Sequence, residues 1–203
     1  MKYIVAIAVF IAVLTGCSVP VPDAPDSALG ALATLSVKDP APQDGYSRDK
    51  FPHWIDMGGC DTRSHILESQ AREMTRDAQG CVDEIAITDP YTGDWTVGRA
   101  NIDIDHVVSL SNAWKTGAAS LSLAQRTQLA NDPTNLLAVD KRLNRQKSDK
   151  DAASWLPPLE EAWCDYAARQ VTVKQRYNLW VTQAEHDALE TILATCPRQK
   201  LIP

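Results

Sequence analysis

The sequence predicts an α+β domain, because strand-like and helix-like patterns occupy different stretches of one chain of 203 residues. Apolar and polar residues alternate at 85–87 and again at 95–97, on the two sides of a turn-like stretch at 89–93, which predicts a β-hairpin. Two long helical patterns close the chain, at about 159–177 and 183–194. The length suits one compact domain accompanied by targeting segments.

The other elements follow from the same two periodicities. Residues 61–72 carry apolar side chains on one side and polar ones elsewhere, which predicts a helix. Ile102 and Ile104 alternate with acidic residues, so a strand is expected to lead directly to His106. Thr182 is expected to begin the last helix as the first half of a capping box. Further helices are expected at 109–117, 121–130 and 141–146, and a short strand at 136–139.

The bulk charge limits the kind of partner. The chain has 44% hydrophobic and 23% charged residues, which is enough apolar material for a core. Its formal net charge is -6. Phosphate binding draws its affinity from Lys and Arg, so an acidic balance disfavours tight binding across a wide nucleic-acid surface. A small site that contacts one or two phosphates is compatible with it.

The first residues have the organisation of an export signal. Lys2 precedes an apolar run at 3–14, which is too short for a membrane-spanning helix. The run Leu-Thr-Gly-Cys at 14–17 resembles the lipobox of bacterial lipoproteins, and this resemblance implies that the mature protein begins at a lipidated Cys17. Ordinary secretion is the alternative. We therefore predict a signal peptide at 1–16 and a lipid anchor on the extracytoplasmic side of the cell membrane.

The stretch after the signal peptide is predicted to be a tether. Prolines recur among Ala, Ser and Asp at 17–45, and no helical or strand period is sustained there. Such a tether would hold the protein away from the membrane surface. The folded domain is predicted at 46–203.

Cysteine usage agrees with export. Five cysteines are present, and assigning Cys17 to lipid leaves an even four. Outside the cytoplasm these can form two disulfides, and the pairing that demands least of the chain joins Cys60 to Cys81 and Cys164 to Cys196. A zinc site is the alternative, although no two of them have the close spacing that zinc ligands usually show.

A carboxylate and a histidine stand together at the end of the predicted central strand. Alternation places Asp103 and Asp105 on one face of that strand and His106 at its edge. A histidine can accept a proton near neutral pH while a neighbouring carboxylate takes a hard cation. By itself, an Asp-His pair is more often a surface hydrogen-bonding feature.

Two asparagines further along complete a longer pattern. His106, Asn135 and Asn144 give the order His, Asn, Asn, which resembles the HNH nuclease family, whose fold is a β-hairpin followed by a metal-holding helix. The run at 135–149 is also similar to the nuclease core of RNA-guided CRISPR effectors. The resemblance implies a ββα-metal core embedded in additional helices. It is strongest to extracytoplasmic HNH proteins of actinobacterial type, covers about 46–196, and includes the runs 59–63, 89–93, 113–118 and 151–158.

The resemblance also implies a role for each motif residue. His106 would be the general base that takes a proton from the attacking water. Asp105 and Asn144 would be ligands of one divalent ion, and their oxygens favour Mg²⁺ or Mn²⁺ over zinc. Asn135 would brace the loop that holds His106, although Asp-Pro-Thr-Asn is also good turn chemistry. Asn144 stands where the family often has histidine, so the identity of the metal is open.

A local excess of basic residues follows the motif. Residues 141–150 include a single acidic residue, Asp149, in an otherwise basic stretch that could steer a phosphate. Lys147 is the favoured phosphate contact and Arg99 a second candidate; a solvated helix face is the alternative. The basic residues are Lys141, Arg142, Arg145, Lys147 and Lys150.

The resemblance, together with the export signal, implies a metal-dependent endonuclease that hydrolyses nucleic acid, with DNA favoured, outside the cytoplasm. No obligate protein partner is expected. One alternative is a catalytically silent surface lipoprotein that uses the fold to bind nucleic acid or a protein. The other is a structural envelope lipoprotein in which the motif is coincidental.

Overall fold

The structure, a computed structural model, describes residues 27–203. Cys17 and the signal peptide lie outside the described residues, so both stay predictions. The mixed architecture confirms the α+β class, and its strands are β1 (Ala71–Arg76), β2 (Val82–Thr88), β3 (Trp95–Val97), β4 (Ile102–His106) and β5 (Leu136–Asp140). Its helices are α1 (Ala28–Leu32), α2 (Thr62–Gln70), α3 (Leu110–Lys115), α4 (Leu123–Asn131), α5 (Lys141–Lys147), α6 (Trp163–Arg176) and α7 (Gln183–Thr195).

The strands form two antiparallel sheets. One has three strands in the order β1-β2-β3, and its β2–β3 pair confirms the predicted hairpin. The other pairs β4 with β5, so that Asp105 lies opposite Leu137 and His106 opposite Leu136. Helix α5 follows β5 directly. The β4–β5 hairpin and α5 therefore form a ββα arrangement, which we call the hairpin–helix unit.

The hairpin of this unit is buried on both faces. Leu137 and Val139 pack into a cluster with α6 and α7, whereas Leu136 and Ala138 pack into a second cluster with α2 and β2. Alternation along a strand sends neighbouring side chains to opposite faces, so each face of β5 contributes to a different cluster. Burial on both sides fixes the register, because a slip by one residue would exchange the two apolar sets.

The tether prediction is wrong for the part of 17–45 that the structure describes. Ser27 caps α1 by accepting a hydrogen bond from the backbone of Gly30, and Ala28 and Leu32 are buried in the cluster with α6 and α7. The helix has only five residues, too short to leave a readable period. The folded domain thus begins no later than Ser27.

Both predicted disulfides are confirmed, Cys60–Cys81 and Cys164–Cys196. The predicted capping box is also present, because Thr182 and Glu185 bond each other's backbone at the start of α7. Helix α6 begins at Trp163, later than expected, because a 3-10 turn at Glu160–Ala162 precedes it.

Strand β1 has no counterpart in the predicted elements. Helix α2 ends at Gln70, where Ala71 turns to an extended conformation, and β1 then pairs with β2. Most of β1 is exposed on both faces, so no alternating apolar pattern marks it. Within residues 27–203, no helix is long and apolar enough to cross a membrane.

Candidate active site

The end of β4 opens onto a cavity of about 270 Å³ that brings together three of the four predicted motif residues. Asp105, His106 and Asn144 all line it. Asp105 and His106 come from β4, and Asn144 comes from α5, which starts where the side chain of Asp140 accepts hydrogen bonds from the first free backbone amides. The remaining lining residues are Tyr46, Arg48, Ile104, Ser109, Leu110, Ser111, Ser148 and Asp149.

His106 is held in one neutral form. Its Nε2 lies 2.9 Å from the backbone oxygen of Ala130, which can only accept, so Nε2 carries the proton and Nδ1 is left as the acceptor. Burial is the main reason that the pKa of His106 falls to about 3. The ring is therefore an uncharged proton acceptor at neutral pH.

Asp105 is fixed by two buried donors. Its Oδ2 accepts a hydrogen bond of 2.6 Å from the hydroxyl of Tyr91, and its Oδ1 lies 2.8 Å from the amino nitrogen of Lys147. Burial raises the pKa of Asp105, whereas the charge of Lys147 acts to lower it. The sequence gives no role to the Tyr91 hydroxyl, yet in the structure this hydroxyl is a direct partner of the predicted metal ligand.

The structure corrects the prediction that Lys147 contacts a substrate phosphate. Its side chain is 0% exposed, and its amino group donates to Asp105 and to the backbone oxygen of His106 at 2.8 Å each. A charge with these partners, enclosed in the core, cannot also meet a ligand in the cavity. Lys147 points inward because α5 turns the side of Leu143 and Lys147 towards the core.

Asn135 is tied to the chain that follows His106. Its side-chain oxygen accepts from the backbone amide of Val108 at 2.8 Å, and its side-chain nitrogen donates to the oxygen of the same residue at 3.2 Å. Its backbone oxygen accepts from Val107 at 2.8 Å. These bonds are the kind that a bracing residue makes, and Asn135 is fully buried, so it does not contact the cavity.

The donor set at the cavity suits a hard divalent cation. Asn144 directs its side-chain nitrogen towards Asp103, at 3.5 Å, and its amide oxygen has no hydrogen-bond donor among the described residues. Each oxygen of Asp105 accepts one hydrogen bond and retains a further lone pair. One carboxylate and one amide oxygen fit Mg²⁺, which keeps several waters, better than an ion that needs a full protein cage.

Residues 46–61 form one side of the site, and we call them the N-terminal wall. Tyr46 and Arg48 line the cavity. The ring of Trp54 lies 5.8 Å from that of His106, and the ring of His53 lies 6.3 Å from it. No sequence motif marks these residues of the wall.

The wall is connected to the helix that orients His106. The side-chain nitrogen of Asn131 donates to the oxygen of Pro52 at 2.8 Å, and its side-chain oxygen accepts from the hydroxyl of Thr62 at 2.7 Å. Asn131 directly follows Ala130, the acceptor for His106. One polar residue thus joins the wall, α2 and the end of α4.

The other predicted basic contacts lie elsewhere. Arg99 donates to the backbone oxygen of Val82 at 2.8 Å and does not line the cavity of His106. A second cavity, of about 470 Å³, runs along α5 and shares no lining residue with the first. Its lining residues are Asn101, Asp140, Lys141, Arg142, Arg145 and Gln146.

Known proteins resemble this chain over most of its length. Residues 62–192 match the family described as GmrSD restriction endonucleases, C-terminal domain. The chain is also 42% identical over 209 residues to a protein of Arthroderma benhamiae named as an uncharacterized secreted protein. That alignment covers 97% of this chain and 100% of the relative. No solved structure matches the chain.

Proposed function

Since the chain belongs to the family of the C-terminal domain of GmrSD restriction endonucleases, we propose that it is a metal-dependent endonuclease that acts outside the cytoplasm. Its reaction is hydrolysis of the phosphodiester bonds of nucleic acid. The observation that carries the proposal is the position of His106: its ring is oriented by the backbone oxygen of Ala130 and lies in one cavity with Asp105 and Asn144.

His106 serves as the general base. Its free Nδ1 takes a proton from the water that attacks phosphorus, while the hydrogen bond from Nε2 to Ala130 keeps the ring from rotating. Asn135 holds the following backbone, so His106 does not drift from the cavity. Tyr91 and Lys147 do the same for the carboxylate of Asp105.

Asp105 and Asn144 would hold one divalent ion, Mg²⁺ or Mn²⁺. When bound, the ion offsets the negative charge that develops on the phosphate and the leaving oxygen. The basic residues along α5 would attract the flanking phosphates, because Arg142, Arg145 and Lys141 border one exposed cavity of an otherwise acidic protein.

Export rests on two further features. Two disulfides are typical of proteins that fold in oxidising compartments, and the fungal relative is named as secreted. The lipid anchor at Cys17 is a separate prediction, which mass spectrometry of the mature N-terminus in the native host would test. An unmodified or absent Cys17 would mean ordinary secretion.

A cleavage assay tests the proposed function directly. Protein beginning at Ser18 should cleave plasmid DNA, single-stranded DNA or RNA with Mg²⁺ or Mn²⁺ and should be inactive with a chelator. The variant His106→Ala should lose activity by about 10²- to 10⁴-fold, the usual contribution of a general base. His186→Ala, on α7, is the matched control and should stay active.

Equal inactivity of folded wild-type protein and His106→Ala on every substrate, with every metal, would refute the proposed catalysis. The protein would then be a binding module that keeps the fold. We expect DNA to be the favoured substrate, and the cleavage rates on plasmid DNA, single-stranded DNA and RNA test this expectation.

A further inference from the structure

We propose that Arg48 is the residue that binds the reacting phosphate group of the substrate in the His106 cavity. This inference rests on the proposed function, since it names a contact at the same site. Arg48 belongs to the N-terminal wall and therefore lies outside residues 62–192, the part of the chain that matches the family.

The charged residues around the cavity favour the binding of an anion beside Arg48. Among the described residues, two carboxylates line the cavity and both are paired with lysines: Asp105 with Lys147 at 2.8 Å, and Asp149 with Lys115 at 3.1 Å. Among the ion pairs of residues 27–203, none includes Arg48. The unbalanced charge that faces this space is consequently positive.

The side chain of Arg48 is held in place from behind. Its Nε donates to Nε2 of His53 at 3.2 Å, and Nδ1 of His53 lies 2.8 Å from the backbone oxygen of Phe51. The carbonyl of Phe51 can only accept, so Nδ1 carries the proton and Nε2 is the acceptor that Arg48 needs. Phe51 is fully buried, so this support is anchored in the core.

The support leaves the outer edge of the guanidinium available. Within the described part of the chain, Nε is the only nitrogen of Arg48 that makes a side-chain hydrogen bond. Two terminal nitrogens in one plane match two oxygens of a phosphate, and such paired bonds are stronger and more specific than a single contact by lysine. Arg48 is also exposed, so a substrate can reach it.

The other basic residues do not compete for this place. Lys147 is enclosed in the core, and Arg99 is bonded to Val82. The basic residues of α5 border the second cavity instead. Of the described residues that line the His106 cavity, Arg48 alone carries a positive charge.

The first test measures binding without metal, so that it does not depend on catalysis. A short fluorescein-labelled single-stranded DNA is titrated with protein in EDTA and followed by fluorescence anisotropy. Arg48→Ala should bind at least about tenfold more weakly than wild type, with a salt slope smaller by ~0.7, as expected for one lost phosphate contact. The DNA affinity of Arg48→Lys should lie between those of wild type and Arg48→Ala, because lysine keeps the positive charge but lacks the two coplanar terminal nitrogens.

The second test asks whether the phosphate bound by Arg48 is the reacting one. Hydrolysis of bis(p-nitrophenyl) phosphate with Mn²⁺ involves a single phosphodiester and no flanking phosphates. Arg48→Ala should lower kcat/KM by at least about tenfold. Arg72→Ala, an exposed arginine on β1, is the matched control and should equal wild type in both tests.

Two results would overturn the inference. One is binding and hydrolysis by Arg48→Ala equal to those of the control; the other is normal hydrolysis of the small diester despite weakened DNA binding, which would move the contact to a flanking phosphate. Thermal unfolding verifies that each variant is folded, and Arg48→Lys decides the question if Arg48→Ala is not. Wild-type protein inert on all substrates would instead refute the proposed function, while the measurement in EDTA still judges Arg48.

Discussion

The hairpin–helix unit and the N-terminal wall both border the cavity of His106, but they hold their charged groups in opposite ways. In the unit, Asp105 and Lys147 are 4% and 0% exposed and neutralise each other. In the wall, Arg48 is exposed and has no carboxylate partner among the described residues. A buried pair keeps its geometry whether or not a ligand is present, whereas an exposed cation gains a partner only when a ligand arrives.

The two regions therefore contribute different kinds of group to the site. The unit supplies groups whose positions are fixed before substrate binds, which is what proton transfer and metal binding require. The wall supplies Arg48, for which we propose a contact with the substrate. Two substitutions test this difference and a third tests the N-terminal limit of the domain; they follow in order of expected effect, the largest first.

Lys147→Met should be the most damaging change. It leaves Asp105 buried without its ion-pair partner, and breaking such a pair typically costs about 3–5 kcal/mol of unfolding free energy. Chemical denaturation measures the loss. Lys150→Met, on the exposed end of the same stretch, is the control and should change stability by less than about 0.5 kcal/mol. Equal stability of the two variants would show that the buried pair does not support the fold.

Leu32→Ala tests whether α1 belongs to the domain. Leu32 is buried at 1% exposure in the cluster with α6 and α7, so the cavity left by its removal should lower the unfolding free energy by about 3 kcal/mol. Leu123→Ala, at 57% exposure on α4, is the matched control and should have little effect. If both variants unfold at the same denaturant concentration, residues 27–38 act as a tether after all.

Tyr91→Phe should have the smallest effect on stability. It removes the hydrogen bond to Asp105 and keeps the ring, so the unfolding free energy should fall by about 2 kcal/mol, and cleavage should slow by about tenfold because the carboxylate is less well oriented. Tyr166→Phe is the control, since the buried hydroxyl of Tyr166 has no hydrogen-bond partner within residues 27–203. Unchanged cleavage by Tyr91→Phe would mean that Lys147 positions Asp105 alone.

The hairpin–helix unit could be predicted from the sequence because its signals are local. The alternation of apolar and acidic residues predicts the strand that ends at His106, and Asn135 and Asn144 follow in the order of the family pattern. The wall could not be predicted, since its residues reach the site through long-range contacts and carry no periodic pattern. The inward orientation of Lys147 was hidden for another reason: charge alone favours the surface, and only the buried Asp105 makes burial of a lysine tolerable.

The two disulfides also affect how the protein can be divided. Cys60 precedes the region of family similarity, 62–192, and Cys196 follows it, while Cys81 and Cys164 lie inside it. A recombinant fragment cut at those limits would keep one cysteine of each pair. The unpaired thiols of Cys81 and Cys164 could then form disulfides with each other or with neighbouring molecules during expression. The stretches on either side of the shared region are therefore fastened to it by covalent bonds, and a usable fragment must retain both.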